Sequence, residues 1–577
     1  MSETSPSNKS GLLSPLTLIS GPPVPAYADA TQVEVPPGTE MVTVTIDGRA
    51  HQVQKGTNLL EACNQAGAEV PFFCYHAGLS SPAVCRQCLV DVKGQPKPVP
   101  SCYTPVADKM EVTTASPRVL DIRRQMLEFT LLNHPIDCPI CDKAGECTLQ
   151  KHYFDWDAKY ARNDGMKVEK EKRVDIGKHI VLDQERCILC TRCIRVCDEV
   201  AKQPELTMAM RGDHEVLTTA PGRRLDNPYS LNTVDVCPVG ALTSKDFRFA
   251  MRAWELDSTP SVCPGCATGC NIEIHSSRGE IHRLVPRVNP AVNKHWMCDD
   301  GRFTYKRVAG NGRLVVPLSA GVPVEWDRGL ADAARLLRNA LDRDASRVGV
   351  VFSAQSTNED LYALARLAFE NVGLTRAYLA GMDQGWSDDI LVSADKNPNT
   401  AGALAIGGGR LKSLLDLSND LKQGRLTTLL VVGEQGVLGS AGAAALPIDR
   451  LESIVVLACR RDDLVEAAHV ALPMAAFAEV DGTFTNRHGR VQRIQAAVPY
   501  AGDSLPGWEI VSLLSDRLGM PMEFSGGVTP PSLTTRGRAP TARTVFLEAK
   551  QKMPFMKDAD WGRTSLPVQL RFAHTRG

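Results

Sequence analysis

The chain has 577 residues, of which 43% are hydrophobic, enough to build the cores of several domains. Its 65 basic and 66 acidic residues give a net charge of −1, so no basic excess favours binding to nucleic acid. No run of about 18 uncharged apolar residues predicts a membrane span. The first 40 residues, rich in Ser and Pro, predict a flexible N-terminal extension.

The 18 cysteines are unevenly distributed, and all but Cys459 precede residue 299. Grouped thiols of this kind are typical of metal binding in a reducing cytosol rather than of a disulfide framework. Ahead of the first group, VTVTI alternates like a strand, DG predicts a hairpin turn, and a helix is expected to begin near Thr57. Cys63 in that helix is expected to be an ordinary buried thiol.

The first group is spaced C-x10-C-x2-C-x13-C, with the middle pair at the start of another predicted strand. Its members are Cys74, Cys85, Cys88 and Cys102. Plant-type ferredoxins have the same C-x2-C pair and a distant fourth cysteine, although their first gap is shorter. The spacing therefore favours a [2Fe-2S] cluster on a β-grasp fold over a zinc ribbon, whose two pairs are normally closer.

The second group follows a predicted helix that begins with Ser116 as N-cap and Pro117 in the first turn. The stretch HPIDCPICDKAGEC then supplies His134, Cys138, Cys141 and Cys147. One histidine and three cysteines satisfy either a closed tetrahedral zinc site or a [4Fe-4S] cluster with one nitrogen ligand. The stretch alone does not decide, but the groups on both sides of it favour the cluster.

The third group, CILCTRCIRVC, has the bacterial ferredoxin spacing C-x2-C-x2-C-x3-C. In two-cluster ferredoxins the fourth cysteine of such a run ligates the other cluster, and each cluster takes its last ligand from a partner run. Here the partner run is CPVGA at Cys237. The predicted ligands of a [4Fe-4S] cluster are therefore Cys187, Cys190, Cys193 and Cys237. Cys197 is expected to be a structural thiol.

The fourth group is spaced C-x2-C-x3-C-x27-C, with a predicted hairpin turn at Arg278-Gly279 between its last two members. Its members are Cys263, Cys266, Cys270 and Cys298. Only Cys63, Cys197 and Cys459 remain outside the four groups. A zinc scaffold or interaction protein accounts for any one group, but it does not account for the ferredoxin spacing within the series.

The motifs PFFCYH, VCRQCLV, HPIDCPICDKAGEC, CILCTRCIRVC, VDVCPVGAL and CPGCATGC occur in this order. Over residues 41–310 the chain resembles the large iron–sulfur subunit of bacterial NADH-quinone oxidoreductase, respiratory complex I. The resemblance implies one [2Fe-2S] and three [4Fe-4S] clusters on the four groups, with His134 as a ligand. The fourth group is found in only some members of the family and is implied to lie off the main electron path.

The resemblance also implies partners and a location. An FMN/NADH-binding subunit supplies the electrons, quinone-side iron–sulfur subunits receive them, and membrane subunits translocate protons. The chain itself is expected to have no complete active site and no catalytic residue. It is expected to lie peripherally on the cytoplasmic side of the bacterial inner membrane, which it reaches only through partner subunits.

From about residue 311, predicted helices alternate with buried-strand runs such as RVGVVFSA, TTLLVVGEQG and SIVVLACR, which indicates α/β layers. The stretch ALPMAAFAEVDGTFTNRHGRVQ at 471–492 resembles molybdopterin oxidoreductases. Because this half is short for a pterin enzyme, no molybdopterin is expected. Gly408 and Gly409 in AIGGGR could face a phosphate, although such a turn is more often a loop. Cys459 is expected in the core.

The predicted fold is a multidomain α/β protein in which a [2Fe-2S] β-grasp domain and ferredoxin-like [4Fe-4S] domains precede a shortened molybdopterin-oxidoreductase-like domain. The predicted boundaries are 1–40 for the extension, 41–117 for the β-grasp domain, 118–157 for the [4Fe-4S] domain with the histidine ligand, 158–256 for the ferredoxin-like domain, 257–310 for the fourth cluster domain and 311–577 for the α/β domain. The alternative function is electron transfer in a soluble NAD-linked formate dehydrogenase or hydrogenase. The short C-terminal half and the lack of further cysteine groups after 298 argue against it.

Overall fold

A computed structural model describes residues 40–156, 162, 165–308, 310, 312–433, 446–522 and 541–562, so nearly all of the predicted N-terminal extension lies outside the described residues. Within these ranges, no helix combines the length and apolar character needed to cross a bilayer. The described chain begins with a five-stranded mixed sheet in the order β2-β1-β5-β3-β4. Its elements are β1 (Met41–Ile46), β2 (Arg49–Gln54), α1 (Leu59–Gln65), β3 (Leu89–Val92), β4 (Val99–Pro100) and β5 (Met110–Thr113).

This sheet confirms the predicted β-grasp fold. Strands β1 and β2 are antiparallel, and β1 pairs in parallel with β5. The predicted turn is present, with Asp47 and Gly48 at φ values of 47° and 81°, as a tight hairpin turn requires. Helix α1 begins two residues later than predicted because the Asn58 side chain caps it, accepting a hydrogen bond from the Glu61 backbone N–H at 2.9 Å.

The next segment carries the second and third groups on short elements. They are α2 (Pro117–Leu131), α3 (Thr148–Asp155), β6 (Val174–Asp175), β7 (Ile180–Leu182), α4 (Arg192–Arg195), β8 (Leu206–Ala209), β9 (Val216–Thr219), α5 (Asn232–Val236) and β10 (Leu242–Ser244). The Ser116 cap of α2 is confirmed, since its side chain accepts from the Val119 N–H at 3.2 Å. Helix α4 continues as a π-helical turn, Val196–Val200, that contains Cys197.

The fourth group lies on a three-stranded antiparallel sheet in the order β11-β12-β13. Its elements are β11 (Asp257–Val262), β12 (Asn271–Ser277), β13 (Glu280–Pro286) and α6 (Asp299–Arg302). The predicted turn is confirmed, with Arg278 and Gly279 both at positive φ between β12 and β13. This sheet packs on the C-terminal domain through Ala267, whose N–H donates to Asp395 O at 2.9 Å and whose carbonyl accepts from Arg487 N at 2.7 Å.

The C-terminal domain contains an eight-stranded sheet in the order β15-β14-β21-β20-β19-β16-β17-β18, in which β16 to β21 are mutually parallel. Its elements are β14 (Leu318–Ser319), β15 (Val322–Pro323), α7 (Trp326–Asp344), β16 (Val348–Ser353), α8 (Asn358–Ala365), β17 (Arg376–Ala380), α9 (Thr400–Gly407), β18 (Leu411–Lys412), α10 (Leu414–Lys422), β19 (Thr428–Val432), β20 (Ser453–Ala458), α11 (Asp463–Ala467), β21 (Val470–Pro473), β22 (Gly482–Thr485), β23 (Val491–Ile494), α12 (Gly507–Arg517) and α13 (Ala542–Lys552).

The central strands of this sheet are buried on both faces. All six residues of β16 are buried, and they alternate between two hydrophobic cores, with Val350 and Phe352 in one and Val351 in the other. Such continuous apolar strands are typical of a parallel sheet covered by helices on both sides. The predicted α/β layers are therefore confirmed.

Candidate metal centres

The first group lies on the loops around the β-grasp sheet. Cys85 and Cys88 shortly precede β3, and Cys102 follows β4. Side-chain hydrogen bonds join Cys74 to Cys102 and Cys85, and another joins Cys88 to Cys102. The Cys85 sulfur also accepts a hydrogen bond from the Phe73 backbone N–H at 3.4 Å. The structure therefore brings the four predicted sulfurs of this group together.

The second group surrounds the end of α2 and the start of α3. Cys138 begins a 3₁₀ turn and is exposed, whereas Cys141 at the end of that turn is buried. Cys147 caps α3, its sulfur accepting a hydrogen bond from Gln150 N at 3.5 Å. Gly145 has a φ of 87° and lies against the Trp254 ring, where a side chain would collide. Of the predicted cysteine ligands, Cys138 is thus the one that is exposed to solvent.

The His134 imidazole is suited to act as a neutral ligand. Burial, the largest cause, and the charges of Lys167 and Arg186 together lower its pKa to about 4. Its buried Nδ1 atom has no hydrogen-bond partner among the described residues. Burial raises the pKa of Cys141, an effect that Arg186 opposes. Arg186 pairs with Asp137, which lies between His134 and Cys138, and it packs beside Gly240, which also faces the Cys141 sulfur.

The third group lines an enclosed cavity of about 20 Å³. All four predicted ligands, Cys187, Cys190, Cys193 and Cys237, contribute to its wall. The remaining lining is largely apolar, with Met208 and Leu217 among it. Four sulfurs around one apolar cavity fit the thiolate-bound, water-poor environment of an iron–sulfur cluster.

Cys197 does not belong to the lining of this cavity. It is fully buried in the π-helical turn. Burial, the largest cause, and the carboxylates of Glu205 and Asp198 together raise its pKa to about 12. Cys237 lines the cavity and Cys197 does not, so this geometry favours Cys237 as the fourth ligand.

The fourth group converges on Gly301 in α6. Cys263 follows β11, Cys270 precedes β12, and Cys298 caps α6 by accepting from Gly301 N at 3.4 Å. A Cβ atom on Gly301 would lie 3.1 Å from the Cys263 sulfur and 3.4 Å from the Cys298 sulfur. The thiolates of Cys263, Cys266 and Cys298 each raise the pKa of Cys270 in addition to the effect of burial. The four sulfurs therefore surround one small volume.

The pKa values of these buried thiols indicate that a cationic centre must stabilise their thiolate forms. Burial, the larger cause, and neighbouring thiolates together raise the pKa of Cys187 and Cys298 to about 12 and that of Cys190 to about 11. Four thiolates are stable in such a place only when a cationic centre balances them, which iron supplies in a cluster. Among the described residues, no three His, Cys, Asp or Glu side chains are grouped closely enough to hold a single metal ion.

Two buried arginines join the first group to the third. The Arg195 guanidinium donates to Cys74 O at 2.6 Å and to Cys190 O at 3.3 Å. Arg192 donates to Val236 O at 3.0 Å, next to Cys237, and also to Tyr75 O. Sequence reasoning missed this role, although both arginines lie inside the motif CILCTRCIRVC.

The third group in turn adjoins the second. The Thr148 N–H, next to Cys147, donates to Pro238 O, next to Cys237, at 3.0 Å. Gly240 faces the Cys141 sulfur so closely that an added Cβ would lie only 2.3 Å from it. The groups therefore adjoin in the order first, third, second, which differs from their order along the chain.

The fourth group is attached to the helix that precedes Cys237. The Asn232 side chain in α5 donates to Met297 O at 2.9 Å and accepts from Met297 N at 3.2 Å, directly before Cys298. Arg302 in α6 forms an ion pair with Asp235 in α5. This group thus contacts the third group through α5, while Arg283 in β13 pairs with Glu146, next to the ligand Cys147 of the second group.

The C-terminal domain has a second cavity, of about 70 Å³, at the carboxyl edge of its parallel strands. Gln355, Gly433, Cys459 and Met474 follow β16, β19, β20 and β21 and line it, together with Pro264 from the fourth group's loop. Cys459 is buried as predicted, but it lies at the end of β20. Gly408 ends α9 with a left-handed cap, and this C-terminal end of a helix repels rather than attracts phosphate.

Fold and sites together define a multidomain iron–sulfur protein with a molybdopterin-oxidoreductase-like α/β domain. Five family models match successive parts of it. They are a 2Fe-2S iron-sulfur cluster binding domain at 39–117, an NADH-ubiquinone oxidoreductase-G iron-sulfur binding region at 123–160, the ferredoxin-like domain of NADH-quinone oxidoreductase subunit 3 at 177–243, a molybdopterin oxidoreductase Fe4S4 domain at 256–310 and a molybdopterin oxidoreductase domain at 389–517. The predicted [2Fe-2S] and [4Fe-4S] binding domains are thereby confirmed.

Curated relatives agree with these models. The G subunit of NADH-quinone oxidoreductase from Streptomyces coelicolor is 39% identical over 341 residues, which is 58% of this chain and 40% of that protein. The NADH-ubiquinone oxidoreductase 75 kDa subunit of Reclinomonas americana is 38% identical over 372 residues, 62% of this chain and 53% of that protein. The chain thus spans about half the length of these relatives, or less. The predicted resemblance to large iron–sulfur subunits of complex I is confirmed.

A solved chain of an NAD+-reducing [NiFe]-hydrogenase is also similar, with 28% identity over 36% of this chain and 90% of that chain. Its TM-score of 0.34 is too low to indicate a shared overall fold.

Proposed function

We propose that the chain is the iron–sulfur electron-transfer subunit of the peripheral arm of respiratory complex I. It relays electrons from NADH and FMN in a partner subunit toward quinone, and membrane partners couple this transfer to proton translocation. The proposed ligands are Cys74, Cys85, Cys88 and Cys102 for a [2Fe-2S] cluster, and His134, Cys138, Cys141 and Cys147; Cys187, Cys190, Cys193 and Cys237; and Cys263, Cys266, Cys270 and Cys298 for three [4Fe-4S] clusters.

The observation that carries this proposal is the direct adjacency of three ligand groups. Iron–sulfur clusters supply one-electron transfer with little movement of the protein. Such transfer becomes steeply slower with distance, so a relay needs successive clusters at short, fixed separations. Arg195 contacts the backbone of ligands from two groups, and Gly240 lets the second group pack against the third. These contacts support an electron path from the first group through the third to the second.

The two ends of this path reach the surface. Beside the first group, Val84 and Tyr103 are 52% and 70% exposed, next to the ligands Cys85 and Cys102. Beside the second group, Ile136 and Ile140 are 86% and 63% exposed. Exposed apolar side chains next to a redox centre are typical of a docking surface. We assign electron uptake from the FMN/NADH-binding subunit to the first surface and release to a quinone-side iron–sulfur subunit to the second.

The remaining parts of the proposal concern domains, location and cofactors. The domain boundaries 41–117, 118–157, 158–256, 257–310 and 311–577 are retained as proposals. The chain is placed peripherally on the cytoplasmic side of the inner membrane. The C-terminal domain is proposed to act without molybdopterin, which the 70 Å³ cavity supports, since ligand pockets are usually about 300–1,000 Å³. The fourth cluster is proposed to lie off the main path, as the family resemblance implies.

Cluster content tests this proposal directly. The full-length chain, purified without oxygen, should contain about 14 iron atoms and an equal amount of sulfide, from one binuclear and three tetranuclear clusters. After reduction with dithionite, EPR at low temperature should show one binuclear signal and several tetranuclear signals. Stoichiometric zinc without these signals would overturn the proposal. Stoichiometric molybdenum or tungsten would instead favour a formate dehydrogenase.

A further inference from the structure

Each of the two junctions along the proposed path contains a buried positive charge. At the junction between the first and third groups Arg192 and Arg195 are both buried, and Arg195, which is 8% exposed, contacts a ligand residue of each group. Its guanidinium donates to the carbonyls of Cys74 at 2.6 Å and of Cys190 at 3.3 Å. The carboxylate of Glu199 also acts on Arg195 and accepts a hydrogen bond from Ser80 N at 2.8 Å.

Arg192 lies at the same junction but has a different surrounding. Its guanidinium is held by the carbonyls of Val236 and Tyr75 and lies over the Phe72 ring, with 5.8 Å between the guanidinium carbon and the ring centroid. These contacts tie the loops of the first and third groups together without Arg195. The junction therefore keeps a structural connection when the charge of Arg195 is removed.

At the junction between the third and second groups the positive charge is Lys143, whose side chain is 14% exposed. Its Cβ packs beside Gly240. Because Gly240 also faces the Cys141 sulfur, the Lys143 side chain lies where the second and third groups adjoin. Its ammonium pairs with Glu146, which directly precedes the ligand Cys147.

Lys143 is held in place by a buried carboxylate. Glu146 lies 3.4 Å from the Lys143 ammonium and forms a two-pronged ion pair with Arg283, whose closer contact is 2.6 Å. Arg283 stacks on the Phe247 ring at 4.2 Å. Two further carboxylates face this cluster of charges: Asp235, which is paired with Arg302, and Asp142, which accepts from Phe249 N at 2.9 Å.

A charge in these positions acts on the clusters themselves. Reduction adds one electron to a cluster, and a positive charge nearby stabilises the reduced form, the more so where water is excluded. A charge between two clusters does so for both of them. By contrast, Arg186 near the second group pairs with two carboxylates, Asp137 and Asp183, at 2.9 and 3.2 Å, whereas Lys143 shares Glu146 with Arg283. The charge of Arg186 is therefore more fully balanced than that of Lys143.

We propose that Arg195 and Lys143 are fixed positive charges of the electron path, each of which stabilises the added electron on both clusters that flank its junction. The inference rests on the proposed function, because it requires the clusters to be present. It assigns to two side chains outside the ligand set the task of favouring the reduced state of the clusters that they flank. The third cluster lies beside both charges and is therefore stabilised by both.

The test is a crossed measurement of midpoint potentials by EPR-monitored redox titration of the full-length chain with its clusters. Lys143→Met should lower the midpoints of the second and third clusters and leave the first unchanged. Arg195→Met should lower the first and third and leave the second unchanged. Lys143→Arg and Arg195→Lys keep the charge and should restore the wild-type midpoints. Unchanged midpoints in the methionine variants, or an equal shift of every cluster, would overturn the inference.

Two further variants test the inference if a methionine variant does not fold with its clusters. Glu146→Gln keeps one acceptor for Arg283 but removes a negative charge, so it should raise the midpoints of the second and third clusters. Arg195→Gln keeps an N–H donor for the carbonyls of Cys74 and Cys190 and should still lower the first and third. A downward or absent shift in Glu146→Gln contradicts the inference. Absence of cluster signals in the wild-type chain would refute the proposed function, whereas intact clusters without shifts would refute only this inference.

Discussion

Replacement of Gly240 by alanine tests how closely the second and third groups are packed. The added methyl group would lie 2.3 Å from the Cys141 sulfur, whereas ordinary contacts begin near 3.4 Å. The sulfur or the Gly240 backbone must therefore retreat by about 1 Å, and a ligand site tolerates only about 0.5 Å of error. We expect loss of the second tetranuclear cluster and a destabilisation of about 1–3 kcal/mol from overpacking.

The assay combines EPR of the reduced chain with its iron content. Gly240→Ala should lose one tetranuclear signal and about four iron atoms per chain, while the binuclear signal remains. Gly265→Ala is the matched control, because its methyl group would lie 3.3 Å from the Thr304 methyl group and 3.4 Å from the Cys263 sulfur, so a small shift of the Thr304 side chain accommodates it. That variant should keep all four clusters. A Gly240→Ala chain with a full set of signals and wild-type iron content would show that Gly240 does not limit the approach of Cys141.

Three further predictions concern single side chains. Cys197→Ser should keep all four clusters and Cys237→Ser should lose one tetranuclear cluster, as measured by iron content and EPR; the reverse result would exchange their roles. His134→Cys replaces a neutral ligand by a thiolate and should lower the midpoint of the second cluster, and an unchanged midpoint and signal would mean that His134 is not a ligand. Burial raises the pKa of Glu359 to about 8, although Thr483 donates to it, so the fold favours its neutral form. The contribution of neutral Glu359 to the stability of the fold is fully present below pH 4.5 and is lost as the pH rises through about 8. In Glu359→Gln the melting temperature should therefore decline less over this pH range than in wild type. The same pH dependence in both chains would contradict this prediction.

Much of the local structure was predictable because it depends on neighbours in sequence. The Asp47-Gly48 turn needs two residues that tolerate positive φ, and the Ser116 cap needs only a hydroxyl before a helix. Ligand spacing is similarly local, since C-x2-C places two sulfurs on one tight loop. These features appeared in the structure where the sequence indicated them.

The spatial order of the groups was not predictable from spacing. It depends on contacts between residues far apart in sequence, such as Arg195 with Cys74 and Asn232 with Met297. The need for a glycine at position 240 follows from its contact with the Cys141 sulfur, which the sequence does not show. The strand order of the C-terminal sheet likewise depends on how the chain crosses over between strands. For example, β14 pairs with β21, about 150 residues later, and no sequence pattern near either strand predicts this pairing.

The central claim is that the third cluster connects the first to the second. Freeze-quench EPR of the assembled complex after mixing with NADH tests it, with wild type, Cys237→Ser and, as a control for the fourth group, Cys263→Ser. We predict that NADH reduces the first cluster in all three, and that the second cluster is reduced in wild type and in Cys263→Ser but not in Cys237→Ser. Reduction of the second cluster at the wild-type rate in Cys237→Ser, with the third cluster missing, would contradict the proposed path.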